Sequence, residues 1–588
     1  MPSPQQKNWW IYPVIPAETN QQLGMYPPYL RQMLFNRGIL NEETAAMYLS
    51  ASSPVYDPFL LLDMQKTVDR LFKAIDDKEG IVVYGDYDVD GVSATALMVL
   101  VLQKFGGNVH RFIPNRFEEG YGLNNDAITV LADSGAKVIL TVDCGIRSPR
   151  EVDHARAHGI DVIISDHHHP KDELPNAYAV VCPKREGDPY PYKDLAGVGL
   201  AYKIAQALFL KRSAGDWKAD DWIDLVALGT VADIVPLTGE NRTLVRRGIN
   251  LIRLGSRVGI KALAGVAAKD ITRITSTDIG FILGPRLNAA GRMDSALKAY
   301  DLLVTDSVER AGMLAQELDN QNNERQKATK TAQDNAKERI GEETDLNLIS
   351  AFFKVPSESE PDVSLNGFLP GEEIYPGIVG LVAAKLTEYY YRPAIAGVVD
   401  KEFCRASCRS IPEFHITEAL DECSDLLVRH GGHSMAAGFT VKLENMPALV
   451  EKLNSIADRK LKGQDLKPVL KVDCEIPVGE ITPAIYKDLD QLQPTGMANP
   501  SALFLARRVR FSDIKIMGRD GTHLRATIDR CPLNQAVAFN QARWYEVWKE
   551  SRPAFDILFS IEVNRYFDKE TQQINIRDMH PSEETESR

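Results

Sequence analysis

Between residues 80 and 185, short unbroken apolar runs alternate with stretches of helical spacing. Ile81-Val82-Val83-Tyr84 is such a run and stops at Gly85; Val109 to Ile113, Lys137 to Val142 and Asp161 to Ser165 are three more. Val92 to Phe105 carries apolar residues at helical intervals and ends at Gly106-Gly107. Strands that are apolar on both faces, separated by helices, predict a parallel sheet covered on either side. From 195 to 300 the spacing is mainly helical, and residues 307–340 are charged with sparse apolar positions, which predicts one long solvated helix between domains. A mixed α/β pattern resumes from 346 to 460. Beyond it, Leu503 to Ile516, His523 to Ile528, Ala536 to Phe539, Ile557 to Tyr566 and Gln573 to Ile576 predict strands joined by short turns, as in a small β-barrel.

Composition narrows the class. A chain of 588 residues exceeds one hydrophobic core and implies several domains. Apolar content of 44% and charged content of 25% exclude extended disorder. No window reaches the ~18 apolar residues of a membrane span, since Lys203 interrupts the longest run, Leu195 to Leu210. The first residues lack the basic-then-apolar pattern of a signal peptide, so a cytoplasmic location without membrane contact is expected. Seven cysteines without a CxxC pair argue against a zinc ribbon or disulfide framework, and Cys404 and Cys408 read as ordinary thiols. The net charge of −13 argues against a protein that coats DNA by bulk charge, but not against an enzyme with a local basic channel.

The candidate chemistry lies just past the strand candidates. Asp86, Asp88 and Asp90 follow the first; Asp143 follows the run 137–142; Asp166-His167-His168 follows 161–165. Asp233 comes after the helical run Trp222 to Val231. In open parallel sheets ligand groups gather beyond the carboxyl ends of the strands, so these clusters are predicted to converge. Taken singly, each has a plain explanation, because aspartates cap helices and fill turns, and paired histidines occur in surface loops. Taken together they point to a site for hard or borderline divalent cations, Mn2+ or Mg2+, because carboxylates so close repel one another unless cations lie between them. Two cations about 4 Å apart that share a carboxylate suit in-line attack on phosphorus.

Asp88-Val89-Asp90-Gly91, Val142-Asp143-Cys144-Gly145 and Asp166-His167-His168 resemble the motifs of the DHH phosphoesterase superfamily. RFEEGYGLN (116–124), TVADIVPL (230–237), GPRLNAAGRMD (284–294), LDNQNNERQ (318–326), GGHSMAAGF (431–439) and LQPTGMANP (492–500) resemble, in order, those of its RecJ family of bacterial single-strand-specific 5′→3′ DNA exonucleases. The resemblance runs from about residue 60 to about 570 and implies an α/β architecture. Its parts would be an N-terminal segment on the core (1–60), a parallel-sheet DHH catalytic domain (61–305), a connecting helix (306–342), a second α/β domain of DHHA1 type (343–462), an OB-like barrel (463–575) and a disordered tail (576–588). It also implies roles. Asp88, Asp90, Asp143, His167 and Asp233 would hold two metal ions, with Asp143 as bridge. His168 would stand by the scissile phosphate as stabiliser or acid, and Asp86 and Asp166 would orient the ligands. Arg116 and Arg292 of the first domain, with Ser407, Arg409 and His433 of the second, would contact phosphate. A cleft between the two domains would admit a single strand.

In the barrel, strand alternation would put Arg508 and Arg510 on one face, beside Arg507 and Phe511, either as a single-strand groove or as a charged edge that discourages aggregation. The chain departs from the family at Ile374-Tyr375, where Trp-His is usual before Pro-Gly, and at Ala406-Ser407-Cys408-Arg409-Ser410, where Gly-Ser-Gly-Arg-Ser is usual; Ala498 is a milder change. The implied activity is release of 5′-mononucleotides from single-stranded DNA in repair and recombination, by a monomer working with a single-strand-binding protein and a helicase. A phosphoesterase acting on short oligonucleotides or small nucleotides, and a non-catalytic scaffold of the same fold that binds DNA or a partner, are the alternatives.

Overall fold

The structure, a computed structural model, describes residues 7–583 apart from 116–121, 172, 342–343, 356–370, 401 and 567–568. The first domain is built on a five-stranded, all-parallel sheet in the spatial order Asn108–Phe112, Gly80–Tyr84, Ala136–Val142, Asp161–Ser165, Ala179–Val181. Alternate residues of each strand feed two cores. Ile81, Val83, Val138, Leu140 and Ile163 face helices Val89–Lys104, Gly197–Lys211 and Ile223–Ala232, while Val82, Tyr84, Ile139 and Ile164 face helices Asn125–Asp133 and Pro149–Ala157. The chain leaves Gly80–Tyr84 for the edge strand and returns to Ala136–Val142 on the other side. The winding therefore reverses between these two central strands, which opens a crevice at their carboxyl ends.

The connecting helix is one piece, Val308–Ile340, started by Ser307 accepting a hydrogen bond from the Arg310 N–H. Its few apolar positions are small and well placed. Ala311, Ala315 and Leu318 enter the first domain's core, and Ala332 and Ala336 enter that of the second. The second domain has a six-stranded mixed sheet in the order Leu427–His433, Ala436–Lys442, Phe403–Arg409, Ala394–Val399, Ile349–Lys354, Gly371–Glu373. Helix Val379–Tyr390 covers one face of it and helix Met446–Leu461 the other.

The C-terminal domain is a seven-stranded, mostly antiparallel sheet, and it departs from the sequence reading in four places. The run from Leu503 to Ile516 is two strands, Phe504–Val509 and Phe511–Met517. A register shift with Arg508 in the left-handed region breaks the alternation that was to align Arg508 with Arg510. Phe511 is buried in the domain core against Phe555 rather than offered to a base. The expected tail from 576 is also too long. Lys569–Pro581 is a strand whose Ile574 and Ile576 are buried between two neighbours, and residues 584–588 lie outside the described ones.

The N-terminal segment belongs with this last domain. Strand Asn8–Ile11 pairs in parallel with Val469–Val472, and Leu23, Leu30, Met33, Leu34 and Leu49 share a core with Phe504, Phe555 and Phe559. Arg242, on helix Gly239–Arg253 of the first domain, ties the assembly together. It is fully buried and donates to the carbonyls of Tyr48 (Nε, 3.1 Å), Gln491 (Nη2, 3.0 Å), Leu492 and Pro494 (Nη1, 2.8 and 3.0 Å). Asn499 completes the joint, accepting from Tyr48 and Arg37 and donating to Leu492 and Pro494. The segment 492–500 is thus a clasp between domains. Among the described residues no helix is long and apolar enough to cross a membrane.

Replacing Arg242 would remove four charge-assisted hydrogen bonds, leave the Gln491 carbonyl without this donor and open a void in the joint, so Arg242→Ala is expected to cost about 3–5 kcal/mol. The urea midpoint should fall, and Arg242→Lys should rescue little because an ammonium lacks the planar fork. A variant with an unchanged midpoint would contradict this account of the joint.

Candidate metal centre

The strands bring the acidic clusters to one edge. Tyr84 lies beside Thr141, and Val142 beside Ser165, so residues 85–90, 143 and 166–168 leave the sheet at the same level. The turns then fix each side chain. Asp88 caps helix Val89–Lys104, accepting from the N–H groups of Asp90 and Gly91. Asp90 accepts from the Gly197 and Val198 N–H groups, at 2.6 and 2.9 Å, at the start of helix Gly197–Lys211. Asp143 sits at φ 66, a left-handed turn that an aspartate tolerates, and its N–H is held by Ser165. Asp233 ends helix Ile223–Ala232. Two glycines make room for this crowd. A Cβ on Gly197 would stand 2.6 Å from the Asp143 Cβ, and one on Gly229 would stand 2.7 Å from Asp90 Oδ1.

Asp143, His167 and His168 offer ligand atoms within 4.8 Å of one another; so do Asp90, His167 and Asp233, and so do Asp86, Asp88 and Asp143. Asp143 and His167 each belong to two of these groups, and of the two a carboxylate is the one suited to bridge two cations. Asp86, read from sequence as an orienting residue, stands at ligand distance itself.

The electrostatics are those of a site built around positive charge. Burial and the Asp88 charge push Asp90 up to about 7. Burial, then Asp90 and Asp88, push Asp233 up to about 9, and burial with the surrounding aspartates raises Asp143 as well. Burial pushes His167 down to about 3, so its imidazole is neutral. Neither of its ring nitrogens makes a hydrogen bond, although Nε2 lies 3.1 Å from Asp143 Oδ1 and 3.5 Å from Asp233 Oδ2. Buried imidazole nitrogens without a donor or acceptor, ringed by carboxylates that repel one another, fit divalent cations.

Asp166 behaves differently. Burial opposes its charge, but hydrogen bonds from the His168 ring and N–H and from the Ile146 N–H hold it below the usual carboxylate range. It therefore stays ionised and fixes His168 through Nδ1 at 2.8 Å.

The second domain faces this site. Arg409 lies opposite Ala436, which lies opposite His433, so Arg409 and His433 share a rung and a sheet face, with Ser407 two residues along it. Gly380 lies beneath, where a Cβ would meet Arg409 Nη2 at 3.1 Å. The His433 pKa is pushed down by partial burial and then by positive charge on Arg147, His168, His169 and Lys184, all first-domain residues. Arg292 donates to the Gly377 carbonyl across the domain boundary. The departures at Ala406 and Cys408 fall on the opposite, core-facing side of the strand, so Ser407 and Arg409 keep their positions. Ile374 is buried in the other core, with Tyr375 half exposed beside it. Arg116 lies outside the described residues.

Lys184 and Arg147 are absent from the sequence reading. Lys184 follows the fifth strand, and the nearby Cys182 thiol reaches the His168 carbonyl; Arg147 donates to the His169 carbonyl. The run Tyr178 to Cys182 was the available signal, since the strand-end rule applies to it equally.

Comparison with known proteins agrees. Residues 80–230 match the DHH family N-terminal domain, 363–459 the DHHA1 domain and 472–578 the RecJ OB domain. The single-stranded-DNA-specific exonuclease RecJ of Bacillus subtilis strain 168 is 38% identical over 561 residues, covering 95% of this chain and 68% of that protein. That of Escherichia coli K12 is 32% identical, covering 96% of this chain and 98% of that protein. The chain belongs to the RecJ family. RecJ from Thermus thermophilus, solved with Mn2+, superposes with a TM-score of 0.81 at 26% identity, covering 98% of this chain and 80% of that one; its Mg2+ complex gives 0.75. RecJ structures are thus known with both cations inferred from the donor set.

The shifts predict a pH signature for the metal-free protein. Carboxyls whose folded pKa is raised favour folding while protonated, so their stabilisation is lost as pH rises through about 7 for Asp90 and about 9 for Asp233. His167 has the opposite sign, but its effect falls below its ordinary pKa of about 6.5. The Tm of chelator-treated protein should therefore fall between about pH 6.5 and 9, and added Mn2+ should raise Tm most at the upper end. A Mn2+ effect that shrinks as pH rises would contradict the site.

Proposed function

We propose that this chain hydrolyses single-stranded DNA from its 5′ end and releases 5′-mononucleotides, acting in repair and recombination. The observation that carries the reading is the cluster of buried Asp86, Asp90, Asp143 and His167 with partly exposed Asp88 and Asp233, within a chain of the RecJ family. Asp88, Asp90, Asp143, His167 and Asp233 would hold two divalent cations, with Asp143 shared, and Asp86 is near enough to join them. When bound, such cations supply a water of lowered pKa and neutralise charge on the phosphate.

The remaining steps belong to the side chains. The bond broken is P–O3′ of the terminal nucleotide, and its 3′-oxygen needs a proton as it departs. His168 is the group for this, because Asp166 holds its Nδ1 and so fixes the tautomer and the direction of Nε2. Arg292, Ser407, Arg409 and His433, with Arg116, would hold phosphate oxygens from the cleft walls. One chain supplies the metal cluster, the second-domain face and the barrel, so a monomer suffices. The cytoplasm, with a helicase and a single-strand-binding protein to present the strand, suits a substrate that must be unpaired.

With Mn2+, purified protein should release mononucleotides from 5′-labelled single strands and leave blunt duplex intact. Asp143→Asn, which keeps size and removes charge, should lower the rate by roughly 10³-fold or more while the protein still folds. Retained turnover in that variant, or faster cleavage of dinucleotides than of long strands, would overturn the reading.

A further inference from the structure

One residue beyond Asp233 the backbone adopts a conformation its side chain disfavours. Ile234 lies at φ 62, in the left-handed region that β-branched residues rarely enter and glycine enters freely. Packing does not account for an isoleucine there, because the residue is 63% exposed. Its N–H closes the helix end on the Val231 carbonyl, a bond any residue but proline could make. Outliers of this kind gather at functional sites, where the surroundings over-determine them.

Two more large apolar side chains stand exposed around the same helix end. Phe281, 80% exposed, lies on the turn Ile279–Leu283, whose Gly280 abuts Val231. Met497, 51% exposed, lies on the interdomain clasp, and its carbonyl accepts the Leu237 N–H at 2.8 Å. Ile234 lies within the segment 231–237 that carries Asp233, and the elements of the other two touch that segment at Val231 and Leu237. Ile234 thus exposes apolar surface one residue from Asp233, and the elements that carry Phe281 and Met497 meet the two ends of the same segment.

We propose that Ile234, flanked by Phe281 and Met497, contacts the unpaired bases of the DNA strand next to the scissile phosphate. The proposal rests on the exonuclease reading above. Unpaired bases offer apolar faces that a duplex keeps stacked, and contact with those faces does not depend on sequence. A chain of net charge −13 gains from such contacts, because they hold the strand without the salt-sensitive phosphate attraction that a basic surface would supply.

Ile234→Gly tests this cleanly, since it removes the side chain and supplies the residue the backbone favours, so the fold is retained. On oligothymidylate of about 20 nucleotides with Mn2+, KM should rise roughly tenfold with the slope of log KM against log salt unchanged. The loss on this strand should be at least about fivefold greater than on bis(p-nitrophenyl) phosphate, a phosphodiester that carries no bases. Ile234→Leu should restore the strand KM, and Phe281→Ser should weaken it separately. An unchanged KM in Ile234→Gly overturns the proposal. Equal losses on both substrates also overturn it, since Ile234 would then act through Asp233. Anisotropy of labelled oligothymidylate with Ca2+ in place of Mn2+ reads binding without cleavage. If the parent protein binds strands with Ca2+ but does not cut them with Mn2+, the exonuclease reading fails; if Ile234→Gly binds as tightly as its parent with Ca2+, the base contact fails.

Discussion

Several carboxylates are withdrawn from water within ligand distance of one another, and most of what surrounds them follows from that. Asp90, Asp143 and Asp233 are pushed toward their neutral forms by burial and by each other, while His167 is pushed to its neutral form with burial as the leading cause. Such an arrangement is costly as it stands and becomes favourable with cations in its midst. The scaffold is shaped to impose it. The sheet reverses its winding at this place, Gly197 and Gly229 let two helices close on the carboxylates, and two N–H groups at a helix start steady Asp90. Asp166, by contrast, has hydrogen-bond donors and keeps its charge, which makes it a support for His168.

The second constraint is alignment over distance. The metal centre and the Arg409–His433 face lie on separate cores, so their mutual placement depends on the rigidity of what joins them. The helix Val308–Ile340 enters both cores through buried alanines, and Arg292 crosses directly to Gly377. On the other side Arg242 and Asn499 fix the clasp at 492–500 against the first domain. The C-terminal domain, carrying the N-terminal segment on its core, is thereby held at a set position relative to Asp233.

The parts that could be read from sequence are those written in local patterns. The strands ending near Tyr84, Val142 and Ser165 were apolar on both faces, and the acidic residues just past them had only one place to go in a parallel sheet. Asp233 follows a helix rather than a strand; the helical run Trp222 to Val231 made it a candidate, and its role as a ligand came from the family resemblance. Lys184 was missed because its strand is three residues long. The Arg242 joint could not be read at all, since its four acceptors are backbone carbonyls and carry no side-chain signature. Arg508 defeated the alternation rule because one left-handed residue shifts the register. The departures at Ala406 and Cys408 looked like a threat to phosphate contacts until the strand's pleat put them on the core side.

The central claim is that the acidic cluster holds two divalent cations that share Asp143. Anomalous diffraction from crystals grown with Mn2+ tests it most directly. Two peaks should appear about 4 Å apart, both within coordination distance of Asp143, with His167 and Asp233 on one and Asp88 on the other. A single peak, or two peaks away from Asp143, would contradict the account.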